Sequence, residues 1–460
     1  MSLATDSIVA LSTPPGRSGI GVIRISGPDS LRILRRMTNA ESSAPEPNYM
    51  MLRSLLDPFS GNALDHALVC FFKAPHSFTG EDVVEFHCHG SPPLLRRIVD
   101  TVLRLDARLA GPGEFSLRAV MNGRLQLTQA EAIRDLIDAQ TDAAAQQATR
   151  QLSGEISHRL QPVKEQLLKI IVRLESSLEF VEDDLPQLEQ AEMDQALGKL
   201  RSELRSLAKT FARGRLLHDG LTVALVGSPN AGKSSLFNKL LGHERAIVTE
   251  IPGTTRDTIS EPIGIDGIPV RLIDTAGMRA TTDQIESMGV ERTRQVAADA
   301  DLLVVVVDGS RPLSDEDQFV IRHAASKSHI VAANKSDLPS FSAEAVAARG
   351  RDNDERISTV AVSALTEDGL AELRAAMLKP FVNGDGVAEG LMITNARHHD
   401  LLVRAAESIE SSQHLIRERA REEIALVGLH NALRFLGEIT GETTTEEILG
   451  QIFSTFCIGK

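Results

Sequence analysis

Val226-Gly227-Ser228-Pro229-Asn230-Ala231-Gly232-Lys233-Ser234-Ser235 fits the phosphate-loop pattern G-x-x-x-x-G-K-[ST] and follows the apolar run Leu221-Thr222-Val223-Ala224-Leu225. The order reads as strand, loop, helix. A buried strand delivers the chain to a loop whose glycines let consecutive backbone N–H groups face phosphates. Lys233 supplies a point charge, Ser234 offers a hydroxyl to Mg²⁺, Ser235 follows in the first helical turn, and the helix adds the positive end of its dipole. A pattern this short also arises by chance, so its weight comes from the segments that follow it.

From about residue 220 to 381, apolar strands alternate with helical patterns, as in a doubly wound parallel sheet, and polar motifs follow the carboxyl ends of the strands, where such sheets bind ligands. After Val270-Arg271-Leu272-Ile273 comes Asp274-Thr275-Ala276-Gly277, whose aspartate can order Mg²⁺ through water and whose glycine N–H can meet a γ-phosphate. After Ile330-Val331-Ala332-Ala333 comes Asn334-Lys335-Ser336-Asp337. Asp337 can accept hydrogen bonds from guanine's ring N–H and exocyclic amine, a donor pair adenine lacks, while the Lys335 stem lies over the base. After Thr359-Val360-Ala361-Val362, Ser363-Ala364-Leu365 can bring a backbone N–H to the guanine carbonyl. Asp and Asn after a strand usually cap turns. Four such motifs in order, each at a strand end, predict a guanine-nucleotide domain, and ATP would leave Asn334 to Asp337 without a use.

The polar segment Thr249-Glu250-Ile251-Pro252-Gly253-Thr254-Thr255-Arg256-Asp257 lies where a switch loop belongs, with Thr255 as the candidate to complete Mg²⁺ coordination when a γ-phosphate is present. Met278 stands where many small GTPases carry the Gln that orients the attacking water. A thioether cannot do that. Hydrolysis therefore needs another polar group, and Arg279, Asp283, Gln284, Glu286 and Glu291 are within the following stretch.

Outside this segment, the chain's 460 residues predict about three domains at roughly 100–200 residues each. Aromatics make up 3% and Trp is absent, which argues for aliphatic cores and against a base-stacking platform. A net charge of −14 argues against nucleic acid being gripped by the whole surface, though not against a local basic patch. Only Cys70, Cys88 and Cys457 are present, so no disulfide framework is needed and a reducing compartment is expected. Met1 to Ala10 lacks the features of a secretory signal, and the longest aliphatic run, Leu302 to Val307, is far too short for a bilayer. A cytoplasmic protein without a membrane anchor is expected.

Residues 1–120 show short β-type runs such as Gly19 to Ile25 and Ala67 to Phe72 between Gly and Pro punctuation, an α+β domain. In Val83-Val84-Glu85-Phe86-His87-Cys88-His89, alternation puts Glu85, His87 and His89 on one face, and a polar strand face is preferred there over a metal site from the two histidines. Residues 121–219 are helical, with Leu160, Val163, Leu167, Ile171, Leu174 and Leu178 forming one stripe and Pro162 expected in a first turn or a kink. Residues 382–460 are helical again, with a stripe of Leu426, Leu429, Leu433, Leu436 and Ile439. Both stripes need partners. The expected fold is therefore multidomain: an α+β N-terminal domain, then an all-α domain whose two parts pack on each other, with an α/β P-loop domain (220–381) inserted between them.

Thr13-Pro14-Pro15-Gly16-Arg17, Ser77-Phe78-Thr79-Gly80-Glu81-Asp82, Pro112-Gly113-Glu114-Phe115-Ser116, the nucleotide motifs and the terminal Phe456-Cys457-Ile458-Gly459-Lys460 together resemble the bacterial MnmE (TrmE) family of tRNA-modification GTPases over essentially the full length. A cysteine four from the end also resembles a prenylation box, but Lys460 is not a usual final residue for one. The resemblance implies a homodimer formed through a folate-binding-like N-terminal domain. It also implies a heterotetramer with a flavin-containing partner, MnmG or GidA, that installs a 5-carboxymethylaminomethyl or aminomethyl group on the wobble uridine of certain tRNAs. A reduced folate, 5-formyl- or methylene-tetrahydrofolate, would supply the one-carbon unit.

By position, the resemblance implies folate contacts from Arg24, Glu85, Arg124 and Lys460, and a reactive thiol at Cys457. Arg124 stands where the family usually has Lys, so the charge is kept and the geometry differs. Hydrolysis would be activated by K⁺-dependent pairing of G domains. Asn230 and backbone oxygens of Thr249, Ile251 and Thr254 would hold the K⁺, and Glu286 would orient water in place of the missing Gln. The competing expectation, a GTP-switched ribosome-assembly module, would call for a basic, aromatic-bearing RNA domain, and no such segment stands out. A membrane-remodelling GTPase would call for a Lys/Arg-rich amphipathic helix, also not evident.

Overall fold

The computed structural model describes residues 6–39, 45–179, 187–243, 260–274, 299–342, 358–381, 390–418 and 422–459. The β-rich punctuation of the N-terminal stretch becomes β1 (Ser7–Leu11), β2 (Ser18–Ser26), α1 (Ser30–Thr38), β3 (Met50–Leu56), β4 (Ala63–Phe72), β5 (Val83–Gly90), α2 (Pro92–Leu103), β6 (Ala107–Leu109) and α3 (Glu114–Met121). Among the described residues the strands form a six-stranded sheet in the order β3-β4-β5-β2-β1-β6. One face is apolar: Ile23, Ile25, Val69, Val84 and Phe86 pack with Ile33 and Met37 of α1 and Ile98 and Val102 of α2. Because side chains alternate along a strand, the residues between them (Arg24, Glu85, His87) share the opposite face. That second face also carries Leu52, 65% exposed, beside its cross-strand partner Leu68, 42% exposed.

The helical texture gives α4 (Leu127–Asp138), α5 (Asp142–Leu152), α6 (Glu155–Glu179), α7 (Gln187–Lys209) and α8 (Phe211–Asp219). Leu160, Val163, Leu167, Ile171 and Leu174 are buried, as one apolar stripe requires. Pro162 lies inside α6 and not in its first turn.

Next come β7 (Leu221–Val226), α9 (Lys233–His243), β8 (Ser260–Ile265), β9 (Ile268–Asp274), β10 (Leu302–Asp308), α10 (Asp315–Ala324), β11 (His329–Asn334), β12 (Ser358–Ala361) and α11 (Leu370–Leu378). The strands make a sheet in the order β12-β11-β10-β7-β9-β8, parallel except where β8 runs antiparallel to β9. Its central strands β7, β10 and β11 are apolar on both faces because two layers cover them, which is why they read as unbroken aliphatic runs. The chain closes with α12 (Ala396–Arg417), α13 (Glu422–Thr440) and α14 (Glu446–Phe453).

The chain divides into two compact units, one made of Met1–Arg134, Gln151–Leu185 and Arg419–Lys460, the other of Asp135–Arg150 and Pro186–Glu418. In the first, α6 packs on α13, with Lys164 Nζ donating to Glu442 Oε1 at 2.6 Å, and α14 packs on α3. In the second, α7 packs on α12, where Arg201 and Arg205 donate to the two oxygens of Glu410. Helices from before and after the α/β segment are thus neighbours in each unit.

The α/β segment is gripped at both its ends within the second unit. Asp135 accepts from His218 Nε2 at 3.1 Å on the entering chain and from Thr394 Oγ1 at 3.5 Å on the leaving chain. The Asp135 carboxylate, with Asp219 on the other ring nitrogen, holds the imidazolium of His218 and pushes its pKa up to about 9. Thr141 Oγ1 donates to Gly267 O at 2.7 Å, at the turn between β8 and β9. Among the described residues no helix is long and apolar enough to cross a membrane.

Candidate functional site

β7 is buried and leads directly into the phosphate loop. Gly227 has φ +153°, and a Cβ there would lie 2.2 Å from the carbonyl oxygen of Val306 on β10, so only glycine lets the loop leave the sheet this closely. Asn230 follows with φ +60°. At Gly232, φ +95°, a Cβ would sit 2.1 Å from Asn334 Nδ2. Lys233 opens α9, and its Nζ donates to Gly227 O at 2.9 Å and Ser228 O at 2.8 Å, which places the ammonium within the curve of the loop. Ala231 is buried, whereas Asn230, Ser234 and Ser235 are exposed.

The base-side motifs are held together by side chains. Asn334, 2% exposed, donates from Nδ2 to Ala231 O at 2.9 Å and accepts at Oδ1 from Ala364 N at 3.1 Å. It therefore ties the phosphate loop to the Ser363-Ala364-Leu365 loop, a role in assembling the cleft. Ser363 Oγ receives the N–H groups of Leu365 and Thr366 and spends its single hydrogen on Asp337 Oδ1 at 2.6 Å, so the aspartate is aimed before any ligand arrives. Leu365 stands out into solvent. Ser336 N donates to Val362 O, closing the same loop pair. Asp274 ends β9 and is buried.

Lys335 takes the left-handed conformation, φ +68°, and its Nζ meets Asp308 Oδ2 at 2.6 Å. Asp308 was not among the predicted site residues; in the sequence it is merely the acid that ends an aliphatic run. Burial would raise its pKa, but the Lys335 ammonium and the Ser310 donors outweigh that and hold it below the usual carboxylate range. Thr249, Glu250, Ile251, Pro252, Gly253, Thr254, Thr255, Thr275, Ala276, Gly277, Met278, Glu286 and Lys460 lie outside the described residues.

In the first unit a second polar cluster forms on the sheet. Arg24 and Glu85 are cross-strand partners on β2 and β5, and Arg24 Nε donates to Glu85 Oε1 at 2.8 Å. The guanidinium lies 5.4 Å from the centre of the Phe78 ring and 5.8 Å from that of Phe115. The C-terminal tail reaches this point. Phe453 and Phe456, ring centres 4.8 Å apart, bury against Leu127, Ala130 and Leu449. Beyond them Gly113 N donates to Cys457 O, Ile458 bridges Pro112, and Gly459 O accepts from Ser12 Oγ at 3.1 Å and Arg24 Nη1 at 3.5 Å. At Gly459, φ +98°, a Cβ would lie 2.6 Å from Leu11 O, so this approach requires glycine. Arg124 Nε donates to Ser77 O at 3.1 Å, and Cys457 is exposed.

His87 and His89 face carboxylates: His87 Nε2 is 3.2 Å from Glu85 Oε2, and His89 Nδ1 is 2.8 Å from Asp65 Oδ1. Among the described residues no group of three metal-ligating side chains assembles. Glu81 of the Ser77–Asp82 motif and Glu114 of the Pro112–Ser116 motif converge on Arg118. Its guanidinium donates to Glu81 and Glu114 and to Asp6, and burial, which would lower its pKa, is overcome by Glu81 and Glu114.

Comparison with known proteins gives two family matches: GTP-binding protein TrmE N-terminus over residues 7–124, and MnmE helical domain over residues 127–457. The protein named tRNA modification GTPase MnmE from Koribacter versatilis is 44% identical over 459 residues, covering 99% of this chain and 99% of that one. The one so named from Aquifex aeolicus is 44% identical over 457 residues, covering 99% and 100%. Its counterpart from Natranaerobius thermophilus is 38% identical over 469 residues, with both chains fully covered at 100%.

Proposed function

Because this chain belongs to the MnmE (TrmE) family of tRNA modification GTPases, we propose that it couples GTP hydrolysis to the building of a 5-carboxymethylaminomethyl or aminomethyl group on the wobble uridine of certain tRNAs. It does so with a flavin-containing partner of the MnmG/GidA type and a one-carbon unit from a reduced folate. One observation carries the second half of this proposal: Arg24 Nη1 meets Gly459 O, 435 residues away, in the unit that holds no nucleotide motif. A chain whose sole task was to switch on GTP would have no use for a second polar site closed by its own terminus. Mass analysis of nucleosides from total tRNA of cells lacking this protein tests it. Loss of the C5-substituted wobble uridine is expected, and an unchanged nucleoside profile would refute the proposal.

In the nucleotide cleft, the exposed Ser234 offers a hard hydroxyl oxygen of the kind Mg²⁺ takes, Thr255 would complete the coordination, and Asp274 at the end of β9 would order the ion through water. Asn230, exposed on a left-handed turn of the phosphate loop, suits a K⁺ ligand, joined by backbone oxygens of Thr249, Ile251 and Thr254. A monovalent cation there would offset charge that develops on the phosphates, the work an arginine finger does elsewhere. Glu286 would orient the attacking water. GTP turnover is expected to rise at least ~10-fold when K⁺ replaces Na⁺, and equal steady-state rates in the two salts would remove this mechanism. In the same assay Glu286→Ala lowers kcat while the dissociation constant for GTP stays within about twofold; a loss confined to affinity would count against the assignment.

In the other unit, Arg24, Glu85 and Arg124 would hold the folate, with Lys460 joining from the tail. Arg24 offers a planar cation beside two aromatic rings, and Glu85 an acceptor already fixed by Arg24 and His87. Such a pair suits a flat heterocycle with adjacent donors and acceptors. Cys457, exposed on the tail, would be the reactive thiol. Cys88, by contrast, is pushed up to about 12 by burial and the nearby Asp65, and is inert. The sheet face bearing Ile20, Leu52 and Leu68 exposes large apolar side chains, which supports homodimer formation through this domain.

A further inference from the structure

We infer that Asp308 is a positioning residue for guanine-nucleotide binding: it acts through Lys335, without touching the nucleotide, by fixing the lysine stem where the base must lie. The inference rests on the cleft being a guanine-nucleotide site and goes beyond it in naming a residue outside the four motifs.

Asp308 closes β10 and pairs in register with Asn334, the last residue of β11, so its carboxylate sits beside the start of the base-binding motif. Its two oxygens have separate tasks. Oδ1 accepts from Ser310 N at 3.1 Å and Ser310 Oγ at 2.6 Å, which is an ordinary Asx turn. Oδ2 accepts from Lys335 Nζ at 2.6 Å, with Arg311 Nε 3.6 Å away. The carboxylate is 9% exposed, so little water competes for the ammonium.

The lysine needs such an anchor. Its backbone is left-handed, a conformation that costs a residue with a Cβ free energy and is held here by neighbouring bonds, among them Ser336 N to Val362 O and Gly309 N to Asn334 O. A four-carbon stem also has many rotamers to lose when it orders. Pinning the ammonium to Asp308 removes most of that freedom before a nucleotide arrives, so the flat apolar stem is already in place to cover a purine.

The turn offers a simpler reason for an aspartate here, and Asp308→Asn separates the two. Asparagine keeps an oxygen for the Asx turn and loses the charge that holds Lys335. Titration of the full-length protein with a fluorescent GDP analogue is expected to give a dissociation constant about tenfold higher for Asp308→Asn, arising mostly from faster release. The KM for GTP should rise in step while kcat is retained. Asp308→Glu keeps the charge and restores most of the affinity, and Asp308→Ser, which keeps an oxygen for the turn and loses the charge, serves in place of the asparagine variant should that fail to fold. Asp308→Asn combined with Lys335→Ala should bind no more weakly than Lys335→Ala alone. Ser310→Ala, which weakens only the turn, should bind normally.

Unchanged affinity in Asp308→Asn, an equal loss in Ser310→Ala, or independent losses in the double variant would each overturn the role given to Asp308. Failure of the unmodified protein to bind the GDP analogue would instead overturn the cleft's identity.

Discussion

Asp337→Asn is expected to lower affinity for GTP and GDP by about 100- to 1,000-fold and to turn the cleft toward xanthosine nucleotides. The carboxylate offers two acceptors to guanine's ring N–H and amine, and charge-assisted hydrogen bonds of this kind are worth about 1.5–3 kcal/mol each. An asparagine presents an amide N–H₂ to the guanine amine, donor against donor. Xanthine carries a carbonyl where guanine has that amine, so the same amide finds an acceptor. Ser363 decides how the asparagine sits: its one hydrogen goes to Oδ1, because its lone pairs are taken by Leu365 N and Thr366 N. The amide oxygen is therefore held on the Ser363 side and cannot flip to rescue guanine. Competition of GTP and XTP against a fluorescent nucleotide measures the switch. Equal affinity of the variant for both, or retained guanine preference, would mean that Asp337 does not read the base.

Replacing Arg118 by Ala is expected to destabilise the first unit by about 1.5–3 kcal/mol, because three partly exposed acids lose their shared buried cation while Arg108 still pairs two of them. Arg118, 7% exposed at its side chain, is the shared partner of Glu81, Glu114 and Asp6. Glu81 also receives the hydroxyl of Ser26, so the loss spreads to the strand that carries Arg24. Lysine should restore only part of the stability, since a point charge cannot reproduce a fork that donates in several directions.

The effect has a pH signature. Burial would raise the pKa values of Glu114 and Asp6, but Arg108 and Arg118 outweigh it and lower both. A depressed folded pKa means that the unfolded chain binds protons first as pH falls. The stabilisation is complete above the ordinary carboxylate range near pH 4 and is lost as pH falls through the lower folded values. The stability gap between the unmodified protein and Arg118→Ala should therefore narrow below about pH 4. Denaturant melts across that range measure it, and a gap that stays constant to pH 2 would show that charge pairing is not what Arg118 contributes.

Much of the nucleotide domain was legible from local order. Its central strands are parallel and covered on both faces, so β7, β10 and β11 appear as unbroken aliphatic runs, and the motifs must sit at the ends of those runs. Glycine in the phosphate loop is likewise legible, because backbone approach demands it at Gly227 and Gly232. Asn334 was legible as part of a base-binding tetrad, but its task of tying Ala231 to Ala364 was not, since neither partner is near it in the chain. Asp308 was hidden for the same reason: an acid ending a strand is commonplace until the register sets it beside Asn334.

In the N-terminal domain, period-two alternation was enough to put Glu85 and His87 on one face, and the structure adds Arg24 opposite them on the neighbouring strand. The docking of Gly459 on Arg24 could not be read from spacing; it depends on Phe453 and Phe456 finding a core made by Leu127, Ala130 and Leu449. The stripes on α6 and α13 showed that partners were needed, and these two helices pack on each other; the packing of α7 on α12 had no such stripe to announce it. Periodicity, glycine at close approaches and the order of motifs are properties of neighbouring residues, and through them the amino-acid order alone specified the kinds of domain and the guanine-directed chemistry. Which side chains hold the cleft, anchor Lys335 and seat the carboxyl-terminal tail depends on contacts between residues far apart in the chain, and such contacts exist only once the cores have closed.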